Sequence, residues 1–99
     1  MSETATWIHV DDVTIGQVVL DLQPSVVEVH RAIHGDFRRV HLSQLLIEVV
    51  GPNKKGHYDI RFLHWGNQMA TYITVDGDGY ARVHPWLEQV LARQAELRG

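Results

Sequence analysis

Residues 45–75 read LLIEVVGPNKKGHYDIRFLHWGNQMATYITV, and this stretch decides the fold class. Its β-branched and aromatic residues are concentrated in three runs that predict strands, at 45–50, 57–65 and 69–75. The segment GPNKKG at 51–56 is typical of a loop, and Gly66-Asn67 is typical of a two-residue hairpin turn. The sequence therefore predicts an antiparallel meander, with 45–50 as a buried strand.

The residues before the meander predict strands at 7–10 and 15–22, and a helix capped by Asp12 is the alternative for 15–22. Segment 24–34 predicts a helix, because Pro24 suits the first turn of a helix and apolar residues recur at helical spacing up to Gly35. Residues 36–43 form either a loop or one helical turn.

After the meander, residues 76–79 (Asp-Gly-Asp-Gly) predict a turn, and 80–83 predict a short edge strand. Pro85 predicts the start of a last helix that runs to about residue 97. One apolar stripe of that helix contains Trp86, Leu87, Val90, Leu91 and Leu97.

These elements predict an α+β fold in the order β(β)-α-β-β-β(-β)-α. We expect one antiparallel sheet of three to five strands, with two helices packed on one face. The chain is predicted to form a single domain over 7–99, preceded by a disordered N-terminus at 1–6.

The composition excludes several classes of protein. The 99 residues contain no cysteine, which removes disulfide scaffolds, cysteine nucleophiles and thiolate metal sites. Neither a basic leader nor a long apolar run is present, so we expect a soluble cytoplasmic protein without a membrane partner. No nucleophile elbow, phosphate loop or dinucleotide fingerprint occurs, so we expect a protein that is not an enzyme and has no cofactor.

The charged residues are unevenly distributed, although the formal net charge is only −3. Residues 1–29 contain acids and no lysine or arginine, whereas 30–61 contain six basic residues against three acids. This basic third predicts a site for an anion, an acidic partner or nucleic acid. Its candidate residues are Arg38, Arg39, Lys54, Lys55 and Arg61.

Three histidines are weak candidates for a metal site. His30 and His34 are four residues apart, a spacing that places two imidazoles on one face of the predicted helix. His41 or Asp36 would have to supply a third ligand. The alternative, which we favour, is that these histidines are packed and hydrogen-bonded structural residues, and no metal is predicted.

An apolar sheet face is a second candidate surface, with Trp65 and Tyr72 as its interface residues. Together with the lack of catalytic motifs, it predicts a small protein-binding module: a regulator, an inhibitor, or a secretion or assembly accessory. The partner is another protein or a second copy of the chain, which would make a homodimer. The alternatives are an RNA- or ribosome-binding factor that uses 30–61, and a histidine-based metal-binding protein.

The order β-α-β-β-β-α over about one hundred residues is similar to that of the short ribosome hibernation factors. Residues 78–83 (DGYARV), followed by Leu87 and residues 91–94 (LARQ), resemble the D-x-Y-A-x-I…L-x-R-Q region of that family, and residues 37–40 (FRRV) resemble its helix-to-strand link. This resemblance implies a two-helix α+β fold and a ribosomal partner.

Overall fold

The computed structural model describes residues 7–32, 35–64 and 68–98. Seven strands are followed by one helix, and their bounds are β1 Trp7–Asp12, β2 Gly16–Leu22, β3 Val26–Arg31, β4 Asp36–His41, β5 Leu45–Val50, β6 Tyr58–His64, β7 Gln68–Val75 and α1 Gly77–Arg98. The strands form two antiparallel sheets, one in the order β1-β2-β3-β4 and one in the order β5-β6-β7.

Alternation of apolar and polar residues produces the sheets. In β2, Val18, Leu20 and Leu22 are buried, whereas the residues between them lie on the opposite face. Cross-strand pairing continues the buried row, since Leu20 lies opposite Val29 of β3. The inner faces of both sheets and one side of α1 therefore share a single apolar core.

Asp12 joins the two sheets at their contact. Its buried carboxylate accepts hydrogen bonds from the N–H groups of Thr14 (2.7 Å) and Ile15 (3.1 Å) in the β1–β2 turn. The same carboxylate accepts the N–H of Thr74 in β7 at 2.7 Å. A turn-forming aspartate thus becomes an inter-sheet link, and Gly16, with φ +83°, completes the turn at an angle that favours glycine.

Helix α1 begins at an aspartate cap. Asp76 Oδ1 accepts the N–H of Gly79 at 2.8 Å, as an N-cap side chain does. The buried positions follow helical spacing and include Val83, Trp86 and Val90. Trp86 packs edge-to-face against Phe62 of β6, with ring centroids 6.3 Å apart. This contact fixes the helix over the second sheet.

Gln94 fixes the other end of α1. Its buried side-chain amide donates to the carbonyl oxygens of Leu42 (2.9 Å) and Leu45 (2.8 Å), at the turn into β5. The C-terminal part of the helix is thereby held at the start of β5. Within the described residues, no helix is long and apolar enough to cross a membrane.

The α+β class is confirmed, but two parts of the predicted architecture are wrong, because the described residues form two sheets and one helix. Residues 26–31 of the predicted helix 24–34 form the strand β3 instead, because Val26, Val27 and Val29 are β-branched residues that are buried in a sheet. Residues 36–41 form β4 and add a strand where a loop or helical turn was expected. The two-helix fold implied by the resemblance is therefore also wrong.

The C-terminal region contains a further error. Residues 76–83 form the cap and first turns of α1, not a turn and an edge strand, and Pro85 lies inside the helix. The expected turn at Gly66-Asn67 and the N-terminus at 1–6 lie outside the described residues.

Candidate functional site

The strand β5 is hydrogen-bonded along one edge only. It pairs with β6 from Leu45↔His64 to Val50↔Asp59, and no other strand in the described parts of the chain pairs with it. Beyond Leu45, whose N–H and C=O are bonded to Leu42 and Gln94, its second edge therefore carries main-chain groups that no described strand pairs with. Such an edge is a template for another strand.

The side chains of β5 do not protect this edge. Leu46, Val49 and Val50 are 50%, 40% and 45% exposed, and Glu48 is the only charged residue of the strand. Edge strands are usually protected by lysine, proline, bulges or a covering segment. β5 was predicted to be buried, and this is wrong for these three residues, because an apolar run does not reveal whether its strand is central or at an edge.

A groove lies between β5 and α1. It has a volume of about 160 Å³, and Ile47 and Val49 line its strand side. Leu87 and Leu91 are among the apolar residues of its helix side, and Leu91 is 56% exposed. The apolar stripe predicted for the helix is therefore divided, because Trp86, Leu87 and Val90 face the core whereas Leu91 and Leu97 do not.

Two titratable residues of α1 also line this groove. His84 and Glu88 are one helical turn apart, and His84 Nδ1 lies 3.9 Å from Glu88 Oε2. Both side chains are about half-exposed or more, so this long contact contributes little to stability. Among the described residues, Glu88 is the only acid that lines the groove, and no lysine or arginine lines it.

The outer face of the second sheet carries the predicted interface residue Tyr72. It is exposed on β7 and lies opposite Arg61 of β6 in the strand register. Arg61 in turn approaches Glu48 at 3.8 Å and Asp59 at 3.7 Å. Trp65, the other predicted interface residue, lies outside the described residues.

The outer face of the first sheet holds a buried carboxylate. Glu28 Oε2 accepts Arg39 Nε at 2.8 Å, and Glu28 Oε1 lies 3.0 Å from His30 Nε2. The Arg39 guanidinium is the main cause that lowers the pKa of Glu28; burial opposes this effect and His30 adds to it. His30 also stacks on Phe37, with ring centroids 5.1 Å apart. The Arg39 guanidinium therefore neutralises this carboxylate, and His30 lies within hydrogen-bond distance of it.

The predicted metal ligands are not brought together. His30 lies opposite Phe37 in the β3–β4 register, so His41 is four residues further along β4, about 13 Å away at strand spacing. His34 lies outside the described residues. Among the residues that are described, no group of three potential ligands is close enough to hold a metal ion.

The five predicted basic residues are dispersed over three parts of the molecule. Arg38 and Arg39 lie on β4, where Arg39 pairs with Glu28. Arg61 lies on β6 between two carboxylates. Lys54 and Lys55 lie in the β5–β6 loop and line a separate cavity of about 490 Å³. The structure therefore does not assemble a continuous basic surface from these residues.

No protein-family model matches the chain, and no curated protein matches it. The groove between β5 and α1 was missed by sequence reasoning. The run LLIEVV, with one charge in six residues, was the available indication of an unprotected strand.

Proposed function

We propose that the protein is a non-catalytic binding module that takes up an extended segment of another protein along the free edge of β5. The observation that carries this proposal is an unpaired, apolar edge strand beside an apolar groove. Strand addition supplies main-chain hydrogen bonds, and pockets for alternate side chains supply selectivity. Such a module would act as a regulator, an inhibitor or an assembly accessory.

The groove determines which side chains the partner can have at every second position. Successive side chains of a strand point to opposite faces of a sheet, so every second residue of an added strand would lie over the groove. Ile47, Val49, Leu87 and Leu91 would contact those residues. We therefore infer a segment with aliphatic or aromatic residues at alternate positions.

The charges around the edge favour basic residues beside the apolar positions of the bound segment. Glu48 on the strand and Glu88 on the helix are both more than half exposed. Their present contacts with Arg61 and His84 are 3.8 and 3.9 Å long and leave both carboxylates accessible. A lysine or arginine beside the apolar positions would pair with them, whereas an acidic segment would be repelled.

A second copy of the chain fits this edge less well. In a symmetric antiparallel pair of β5 strands, each copy would bring its own Glu48 to the outer sheet face that already carries Glu48 of the other copy. Like charges across an interface oppose association. The homodimer is therefore the alternative occupant and a measurable outcome of the test below.

The test is a selection of random ten-residue peptides displayed on phage against the full chain, followed by amide chemical-shift mapping of an enriched peptide. We expect sequences with alternating apolar residues and a basic flank, and shifts confined to 45–50 and the facing side of α1. Failure to enrich any sequence, or shifts located on the first sheet, would contradict the proposal.

Two matched pairs of variants locate the bound segment. Leu91→Lys places a charge in the groove, whereas Leu97→Lys changes a residue that does not line it and is equally exposed (53% against 56%). Val49→Lys and Val50→Lys change neighbouring residues on opposite faces of β5. We expect Leu91→Lys and Val49→Lys to weaken peptide binding at least tenfold, about 1.4 kcal/mol, and Leu97→Lys to leave it unchanged.

The oligomeric state distinguishes between the two possible occupants of the edge, a segment of another protein and a second copy of the chain. We expect sedimentation velocity to show a monomer at micromolar concentration. If the protein is instead a dimer, and Val49→Lys dissociates it, the edge of β5 binds a second copy of the chain and the peptide assignment is overturned.

A further inference from the structure

The structure assigns an anion site, for a small phosphorylated molecule, to the cavity between the β5–β6 loop and the β1–β2 turn. The cavity has a volume of about 490 Å³, and its lining residues are Val13, Thr14, Asn53, Lys54, Lys55, His57 and Thr74. None of them lines the groove beside β5, so this site does not depend on the proposed function.

Asn53 organises the loop that carries the two lysines. Its side-chain oxygen accepts the N–H groups of Lys55 (2.9 Å) and His57 (3.0 Å). Its main chain closes the same loop, because the Asn53 N–H donates to the His57 carbonyl at 3.0 Å and its carbonyl accepts from Gly56 at 2.9 Å. A loop fixed in this way requires little ordering when a ligand binds.

The two lysines are available to a ligand. Lys54 and Lys55 are the only lysines of the chain, and both are exposed at the cavity. No carboxylate of the described ranges 7–32, 35–64 and 68–98 forms an ion pair with either of them. Arg39 and Arg61 differ in this respect, since both approach acids.

Two acids, Asp12 and Asp59, contact the lining residue Thr74, and both are already bonded to donors. Asp12 accepts three main-chain N–H groups, one of them from Thr74. Asp59 accepts the hydroxyl of Thr74 at 2.8 Å and lies 3.7 Å from Arg61. Neither aspartate lines the cavity. The cavity therefore presents two ammonium groups and an imidazole without an opposing carboxylate.

The charge of the cavity favours a compact dianion. Two ammonium groups that line the same depression attract a phosphate monoester more strongly than a singly charged carboxylate, and lysine binds phosphate as a point charge. A nucleic acid would need basic residues in a row, but Arg38, Arg39 and Arg61 lie on other elements, and two of them are paired.

The experiment is a titration of the isotopically labelled full chain with inorganic pyrophosphate, at constant ionic strength set with chloride. We expect saturable amide shifts at 13–14, 53–57 and 74, with a dissociation constant below about 1 mM. Lys54→Gln and Lys55→Gln should each raise that constant about tenfold. The matched control is Arg38→Gln, which removes one exposed positive charge from the first sheet and should leave the constant within about twofold.

The spectra of the variants also report whether they are folded, so a loss of binding is separable from a loss of structure. Shifts that do not saturate, or an equal effect of Arg38→Gln, would overturn the site. A ten-nucleotide oligouridylate that binds more tightly than pyrophosphate, with shifts that reach Arg38 and Arg61, would overturn the small-molecule assignment in favour of a nucleic-acid surface.

Discussion

Arg39→Ala removes the guanidinium that neutralises the buried carboxylate of Glu28. The carboxylate is only 8% exposed, and Arg39 approaches Glu28 Oε2 through two nitrogens, at 2.8 and 2.6 Å. A hydrogen bond to a charged group contributes about 1.5–3 kcal/mol in a buried site. Because the Arg39 side chain is 56% exposed, solvent screens this interaction, and we expect a loss of about 1–2 kcal/mol.

The assay is urea unfolding followed by the fluorescence of the tryptophans, of which Trp86 is buried in the core. The control is Arg38→Ala on the same strand, since Arg38 bonds only the adjacent Phe37 carbonyl in the described structure. We expect Arg38→Ala to change the free energy of unfolding by less than about 0.5 kcal/mol. Equal losses for the two variants would refute the assigned role of Glu28.

The pH dependence supplies a second check on the same variant. The pKa of Glu28 is lowered from its ordinary value of 4.5 in the folded protein. Its ionised form therefore stabilises the fold above pH 4.5, and this contribution is lost as the pH falls through the folded-state pKa. The difference between wild type and Arg39→Ala should narrow below pH 4.5. A difference that is constant from pH 7 to pH 3.5 would contradict this linkage.

Three further substitutions test the packing. Asp12→Ala should cost about 2–4 kcal/mol, because three N–H groups lose their acceptor, whereas the exposed neighbour Asp11 should tolerate alanine. Gln94→Leu should cost about 1–3 kcal/mol, since two carbonyls lose their amide donor and that of Leu42 keeps only the long bond from the Leu45 N–H (3.4 Å); a neutral result in thermal melts would contradict the role of this amide. Thr71→Val should stabilise the protein by up to about 1 kcal/mol, because the buried hydroxyl has no hydrogen-bond partner among the described residues. A destabilised variant would show that this hydroxyl is bonded.

Much of the fold is determined by local residue pattern, and those parts were predictable. The strands at 45–50, 57–65 and 69–75 agree closely with β5, β6 and β7, because β-branched runs are separated by loop-forming residues. Segment 24–34 was predicted wrongly because Pro24 and Gly35 are found at helix ends and at strand turns alike. Its three valines satisfy either periodicity, and burial in the first sheet decides between them.

Pro85 illustrates a different limit. A proline is most common in the first turn of a helix, so the sequence placed the start of α1 there. The helix instead begins at Gly77, after the Asp76 cap, because Val83 and the residues that follow must face the core. The stabilisation from burying this face of the helix is larger than the cost of the one hydrogen bond that Pro85 cannot donate.

The candidate sites were predictable to different degrees. Lys54 and Lys55 are conspicuous in the sequence, and the cavity beside them was not, because it requires the β1–β2 turn. The groove beside β5 depends on which strand lies at an edge and on the path of α1. Local sequence does not determine the edge position of β5 or the path of α1, since both follow from the pairing of distant strands.

The central claim is that an extended segment pairs with the free edge of β5, and amide hydrogen exchange with an enriched peptide tests it most directly. In the free protein, alternate N–H groups of residues 46–50 should exchange quickly, because no strand in the described part of the chain accepts them. Saturation with the peptide should slow those alternate groups at least tenfold and leave the groups already bonded to β6 unchanged. Binding without added protection on β5 would contradict strand addition.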